Sequence, residues 1–246
     1  MDKLLQNILL IDIETVPQAA NWETLDDIWQ ALWTEKMSKI ATAGMPPEES
    51  YEQRAGILAE FSKIICISIG YFHTTQEGKL TCRIKSFFGD KEAILLQQFI
   101  ADIDCFYNNH KQIVWAGHNI REFDLPFICR RLLANHLKLP TYFPLPGSKP
   151  WENQMIDTLQ WWRFGDYKHY TSLNLLAHVL QIPTSKTDMD GSMVKQVYYE
   201  EKNLPRIVEY CERDIIVVAN ILMRFYNRPL LIEENIYVTT TARLQA

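Results

Sequence analysis

The chain reads as an α/β fold, a five-stranded mixed sheet flanked by helices, and three observations lead there. Residues 7–13 hold a near-continuous apolar run, Ile8, Leu9, Leu10, Ile11 and Ile13, which is the pattern of a buried strand. Residues 62–73 and 79–88 are two further apolar segments separated by Thr74-Thr75-Gln76-Glu77-Gly78, a spacing that fits a hairpin. Beyond residue 88 helical and strand patterns alternate, and the order β-β-β-α-β-α-β-α-α implies a mixed sheet with helices on its faces.

The first strand is expected to end at Pro17, which has no N–H to give a ladder. Asp12 and Glu14 are two apart and share one face of it, with Ile13 on the other. Residues 18–60 read as a helical insertion. Leu25, Ile28, Trp29, Leu32 and Trp33 follow helical spacing, Met45-Pro46-Pro47 breaks the pattern, and a second helix is expected over 48–60. Its tryptophans, Trp22, Trp29 and Trp33, either pack on the main domain or form a lid or protein-partner surface.

Asp90 is the expected N-cap of a helix running to about residue 109, with Ile94, Leu95, Phe99, Ile103 and Phe106 on one face. A fourth strand is expected over 112–117. A helix over 123–137 tolerates Pro126 in its first turn. A Pro-rich loop (140–152) precedes a fifth strand (155–162). A short helix (172–180) is capped by Thr171 or Ser172, and residues 184–192 are polar and turn-like. Two helices follow, 193–202 and 204–226, the second with Pro205 at its start, and residues 227–246 read as an irregular tail. No repeat, low-complexity tract or linker divides the sequence, so one domain over 1–246 is expected.

The net charge of −5 gives no global basic field to gather nucleic acid, which disfavours a tight duplex binder but not an enzyme that neutralises phosphate with bound metal. Cys66, Cys82, Cys105, Cys129 and Cys211 show no CxxC spacing, so neither a zinc site nor a redox dithiol is expected. The apolar start is cut off by Asp12 and Glu14, too early for a signal peptide, and no stretch nears the ~20 apolar residues of a membrane span. A cytoplasmic protein that avoids membranes is expected.

Chemistry is carried by four carboxylates and a tyrosine: Asp12 and Glu14 on the first strand, Asp124 in Asn119-Ile-Arg-Glu-Phe123-Asp124, and Tyr210 with Asp214 in Tyr-Cys-Glu-Arg-Asp. Asp-x-Glu alone arises about once in a few hundred positions, and Asn-x-x-x-Phe-Asp is roughly a hundredfold rarer. A carboxylate at the end of an apolar strand costs several kcal/mol unless paired or metal-bound. Three or four converging carboxylates are what two divalent ions need to hydrolyse a phosphodiester. Tyr210 and Asp214 are four apart and share a helix face.

On these residues the chain resembles the DEDD superfamily of 3′–5′ exonucleases, with its ribonuclease-H-like fold, and specifically the tyrosine subclass (DEDDy). The histidine subclass would place His five residues before the last Asp, where this chain has Glu209. It is most similar to the proofreading exonuclease domains of family-B DNA polymerases. Smaller motifs agree: Thr15 after Glu14, Asn119 and Phe123 framing the second motif, Ser172-Leu173 with Leu176, and Lys186-Thr-Asp-Met189. The run Ser185-Lys186-Thr187-Asp188-Met189-Asp190-Gly191-Ser192 resembles stand-alone bacterial predicted exonucleases related to those domains. With no polymerase domain following, proofreading in cis is not expected.

The resemblance implies that Asp12, Glu14, Asp124 and Asp214 hold two ions, Mg²⁺ or Mn²⁺, and an all-oxygen set suits both. It implies that Tyr210 orients the attacking water and that Lys186 stabilises charge or steadies a carboxylate. Thr15, Asn119, Phe123, Ser172 and Leu173 would hold the terminal nucleotides of single-stranded DNA. The same chemistry on RNA ends, and a non-catalytic nucleic-acid-binding module, are the competing readings. His118, beside Asn119, reads as structural, and Asp188 and Asp190 as residues that order their loop.

Overall fold

The first apolar run forms the central strand β1 (Ile8–Pro17). The computed structural model describes residues 5–40, 44–143, 155–184 and 189–240. β1 pairs antiparallel with β2 (Ser62–Thr74), and β2 pairs antiparallel with β3 (Leu80–Phe88), so the expected hairpin is present. On its other side β1 runs parallel to β4 (Val114–Gly117), which runs parallel to β5 (Met155–Asp157). A sixth strand, β6 (Ile236–Val238), joins β3 in parallel, giving the order β5-β4-β1-β2-β3-β6. β6 lies in the stretch expected to be an irregular tail. Three residues are too few to show a period of two, and only pairing with β3 makes them a strand.

Alternation along β1 sorts its side chains between the two faces. Leu9, Ile11 and Ile13 enter one core with Leu95, Phe99 and Ile103 of α3 (Glu92–His110) and Leu125, Ile128 and Leu132 of α4 (Asp124–Ala134). Ile8 and Leu10 enter a second core with Ile215, Val218, Ala219 and Leu222 of a long helix, Leu204–Phe225. The same alternation points Asp12 and Glu14 toward that helix. Its closeness to the sheet depends on Gly70 of β2, where an added Cβ would lie 2.6 Å from Ile215 Cγ2.

Between β1 and β2 lie α1 (Asp27–Ile40), α2 (Pro47–Arg54) and the 3₁₀ turn Ala55–Ile57. The helix expected over 48–60 is therefore shorter. Trp33 is fully buried against Tyr51 and Phe61, ring centroids 5.1 and 4.9 Å away, and its Nε1 donates to Ser50 Oγ at 2.9 Å. Trp29 packs on Phe61 and Trp22 on Tyr51. The tryptophans thus build a small core of their own, and it is Ile28 and Leu32 of α1 that face outward.

Two local expectations are corrected. The fifth strand stops at Asp157 rather than 162, because the Asp157 carboxylate accepts from Leu159 N and Gln160 N and caps α5 (Thr158–Arg163). Asp90 does not cap α3. Lys91 occupies that position, and Asp90 accepts instead from Tyr198 Oη at 2.7 Å. Phe123 occupies the N-cap position of α4, and the Asp124 carboxylate in its first turn accepts from Ile13 N. Further along the chain are α6 (Leu173–Val179), the 3₁₀ turn Gly191–Met193, α7 (Val194–Tyr199) and α8, the long helix already described. Among the described residues no helix is long and apolar enough to cross a membrane.

Gly117 closes β4 where no side chain fits: an added Cβ would sit 2.7 Å from Ile11 O and 2.2 Å from Ile120 Cγ2. Gly117→Ala is expected to cost about 1–3 kcal/mol through overpacking against a backbone that cannot rotate away. Urea unfolding measures it, and an unchanged midpoint would contradict the contact.

Candidate active site at the carboxyl ends of β1 and β4

β1 and β4 pair only from Ile8–Val114 to Leu10–Ala116. Beyond that β4 ends in a turn in which Asn119 has φ +64°, and a crevice opens between the strand ends, the usual place for a site in such sheets. The turn is held by Asp157, whose carboxylate accepts from Asn119 N and Arg121 N, both at 3.0 Å. His118 bonds through both ring nitrogens, to Thr158 Oγ1 and Thr171 O at 2.9 Å. A carbonyl only accepts, so Nε2 carries a proton. Burial lowers the pKa of His118, which favours a neutral ring. His118 thus ties the turn to α5 and to the segment before α6, and it lines the same cleft as Asp12 and Asp214.

The crevice frees the Ile13 N–H from a β4 partner, and Asp124 Oδ1 accepts from it at 3.1 Å. That bond draws Asp124, from the first turn of α4, to the end of β1. From the other face α8 brings Tyr210 and Asp214, one helical turn apart, to the cleft beside Asp12. Cys211 Sγ donates to Asp12 Oδ2 at 3.1 Å. One ligand atom each from Asp12, Glu14 and Cys211 lies within 4.8 Å of the other two. Glu14 is 8% exposed and Asp124 4%.

Burial, and then the charges of Asp214 and Asp124, raise the pKa of Asp12 well above the carboxylate range. Burial and then Asp12 and Asp214 do the same to Glu14. Burial pushes Asp124 to about 7 despite the Ile13 N–H, and Asp214 to about 6 despite Tyr210 and Arg213. Burial and the nearby carboxylates also raise Tyr210, which keeps its proton. Packed acids of this kind either share protons or are neutralised by cations, so the donor set fits divalent metal.

A cleft of about 310 Å³ adjoins the cluster, lined by Asp12, Tyr210 and Asp214 with Ser172, Leu173 and Asp190 among others. A groove of about 560 Å³ continues from it past Gly191 and is lined by Glu14, Thr15 and Phe123. The Thr15 hydroxyl donates to Gly56 O at 2.6 Å, tying the end of β1 to the segment before β2. Phe123 packs on Phe127. Ser172 both caps α6, accepting from Leu175 N at 3.3 Å, and lines the cleft. Asn119 Oδ1 is buried with no hydrogen-bond partner among the described residues. Asp190 orders its loop, accepting from Ser192 N at 2.8 Å, and also faces the cleft. Lys186 and Asp188 lie outside the described residues.

The sequence reading missed Cys211, Asp157 and Tyr170, which lines the cleft beside Asp12 and Asp214. Cys211 follows Tyr210 and precedes Asp214 by three, so helical spacing placed it toward the same face. Asp157 ends the short apolar strand β5, a signal hidden by reading the strand through to 162.

A search of curated proteins gave no match. Among solved structures, the family B DNA polymerase from the hyperthermophilic archaeon Pyrobaculum calidifontis is similar over 89% of this chain, with 14% identity and a TM-score of 0.48. The chain spans 24% of that polymerase's length. A family model, described as a predicted 3′–5′ exonuclease related to the exonuclease domain of PolB, matches residues 57–246. The match begins after β1, so Asp12 and Glu14 join its residues through the sheet. On that match the chain belongs to the family of predicted 3′–5′ exonucleases related to the exonuclease domain of PolB.

Proposed function

We propose that the chain is a two-metal 3′–5′ exonuclease of the tyrosine subclass, trimming single-stranded DNA from its 3′ end to nucleoside 5′-monophosphates, in DNA repair or editing. The observation that supports this reading is that Asp124 of α4 and Asp214 of α8 lie close enough to Asp12 and Glu14 of β1 for their charges to raise both. Asp12, Glu14 and Asp214 would hold one Mg²⁺ or Mn²⁺, and Asp124 with Asp12 the other. When bound, such ions supply a water acidic enough to attack at neutral pH and neutralise charge on the phosphate. Tyr210, held protonated by burial and the nearby carboxylates, orients that water and does not act as its base. Thr15 and Phe123 in the groove, and Ser172 and Leu173 in the cleft, contact the terminal nucleotides without reading bases. Asn119 is assigned the same role, and Lys186 that of stabilising charge at the phosphate.

The test is a 5′-labelled single-stranded DNA oligonucleotide with Mg²⁺, Mn²⁺ or EDTA, beside the matching RNA. A metal-dependent ladder shrinking from the 3′ end of the DNA is expected. An oligonucleotide left intact with both metals overturns the assignment, and faster trimming of RNA would move the substrate to RNA ends.

The carboxylates also tie stability to pH and metal. Their folded pKa values, about 6 for Asp214 and about 7 for Asp124, lie above the unfolded values near ~4. The native state therefore binds more protons in that window, and stability is lost as pH rises through it. In EDTA these groups destabilise the protein at pH 8 and not at pH 4. Mg²⁺ or Mn²⁺ is expected to raise Tm by roughly 3–8 °C at pH 8 and by little at pH 5. Equal shifts at the two pH values would contradict the linkage.

A further inference from the structure

The groove beside the cleft has two walls of different origin. One is α2 with the 3₁₀ turn Ala55–Ile57, from the segment between β1 and β2. The other is the 3₁₀ turn Gly191–Met193 with α7. Glu52 of α2 and Lys195 of α7 line opposite walls and form an ion pair between residues 143 apart in sequence. Both side chains are partly solvated, 26% exposed for Lys195 and 44% for Glu52. Glu14, at the edge of the acidic cluster, lines the same groove.

The groove, lined by Glu14 at one end, is open to a strand whose 3′ end reaches the carboxylates, and its phosphates would meet a chain of net charge −5. Attraction for the phosphate backbone must then be local, and Lys195 is a cation in the groove wall. A partly exposed ion pair is worth little, so a phosphate displaces the Glu52 carboxylate at small cost. A deeply buried pair would not exchange in this way.

We infer that Lys195 is a substrate-binding residue that takes a backbone phosphate of the single strand, and that Glu52 holds its place between the walls when no nucleic acid is bound. The inference rests on the exonuclease reading above. Glu52 thereby acts as a competitor, and the segment between β1 and β2 joins substrate recognition through it. The two substitutions must then act in opposite directions, whereas a tether that only holds α2 to α7 would be weakened alike by either.

The experiment measures binding of a 5′-fluorescein-labelled single-stranded DNA with a free 3′ end by anisotropy, in the Asp12→Ala background with Mg²⁺ present, over a range of salt. Lys195→Ala is expected to weaken binding about 5–10-fold and to lower the salt slope by about 0.7, one phosphate contact on a single strand. Lys195→Arg is expected to retain binding, and Glu52→Gln to tighten it about 2–5-fold. KM of the active enzyme should move in the same directions. Shifts of the same sign for Lys195→Ala and Glu52→Gln, or no shift in either, overturn the inference while the wild type still degrades DNA. A wild type that neither binds nor degrades the strand overturns the underlying reading and this inference with it.

Discussion

Asp12→Ala is expected to lower 3′–5′ exonuclease activity by about 10³-fold or more without unfolding the protein. Asp12 stands where the cluster converges: Glu14 shares its strand face, Asp214 and Asp124 raise its pKa, and Cys211 donates to its Oδ2. Removing it takes away the carboxylate proposed to bridge both ions, and residues that act as a unit lose most of their effect when one is lost. The fold loses little, because Asp12 lies among like charges and its protein partner is a weak thiol donor. Without metal, deleting one acid from the cluster relieves repulsion, so the Tm in EDTA should stay level or rise. The check is trimming of a labelled oligonucleotide beside a thermal melt of the same preparation. A folded Asp12→Ala protein that still trims at wild-type rate would remove Asp12 from the mechanism.

Arg131→Ala is expected to be strongly destabilising, costing about 3–5 kcal/mol. Arg131 and Glu92 are 6% and 7% exposed and form a bidentate pair, Nε–Oε1 at 2.9 Å and Nη2–Oε2 at 2.6 Å. The remaining capacity is also used. Glu92 accepts from Ile64 N at 2.7 Å and Asn135 Nδ2 at 2.8 Å, while Arg131 Nη1 donates to Ala59 O at 2.9 Å. Removing the guanidinium leaves a buried carboxylate without its counter-charge and a buried carbonyl without its donor. The network joins α3, α4 and the start of β2, so the loss is felt where α4 presents Asp124. A fall in Tm of roughly 6–20 °C follows for a chain of this size. Urea unfolding gives the free energy, and a loss below about 1 kcal/mol would show that solvent reaches the pair.

This network shows where sequence reading stops. Glu92 and Arg131 are 39 residues apart, and nothing in either neighbourhood marks them as partners. Asp90, two residues before Glu92, carried the stronger local signal as a cap, yet it bonds Tyr198 across the surface. Local preference was overridden because a helix start is also a docking site for other elements. The tryptophans make the same point. Their helical spacing marked an apolar face, but only the fold shows it turned onto Tyr51 and Phe61.

The sequence by itself determined what depends on neighbours a few residues away. The buried run of β1 and the β2–β3 hairpin follow from strand periodicity. The shared face of Asp12 and Glu14 and the one-turn spacing of Tyr210 and Asp214 follow from strand and helix geometry. Tertiary structure decided what depends on sheet order and on how the helices dock. Asp124 reaches Ile13 across 111 residues because β1 and β4 diverge, and Cys211 reaches Asp12 across 199 because α8 crosses that face. Glu52 faces Lys195 because the segment between β1 and β2 folds back beside the site. The physical reason is that such contacts are selected by packing and hydrogen-bond satisfaction over the whole fold, which no local period encodes.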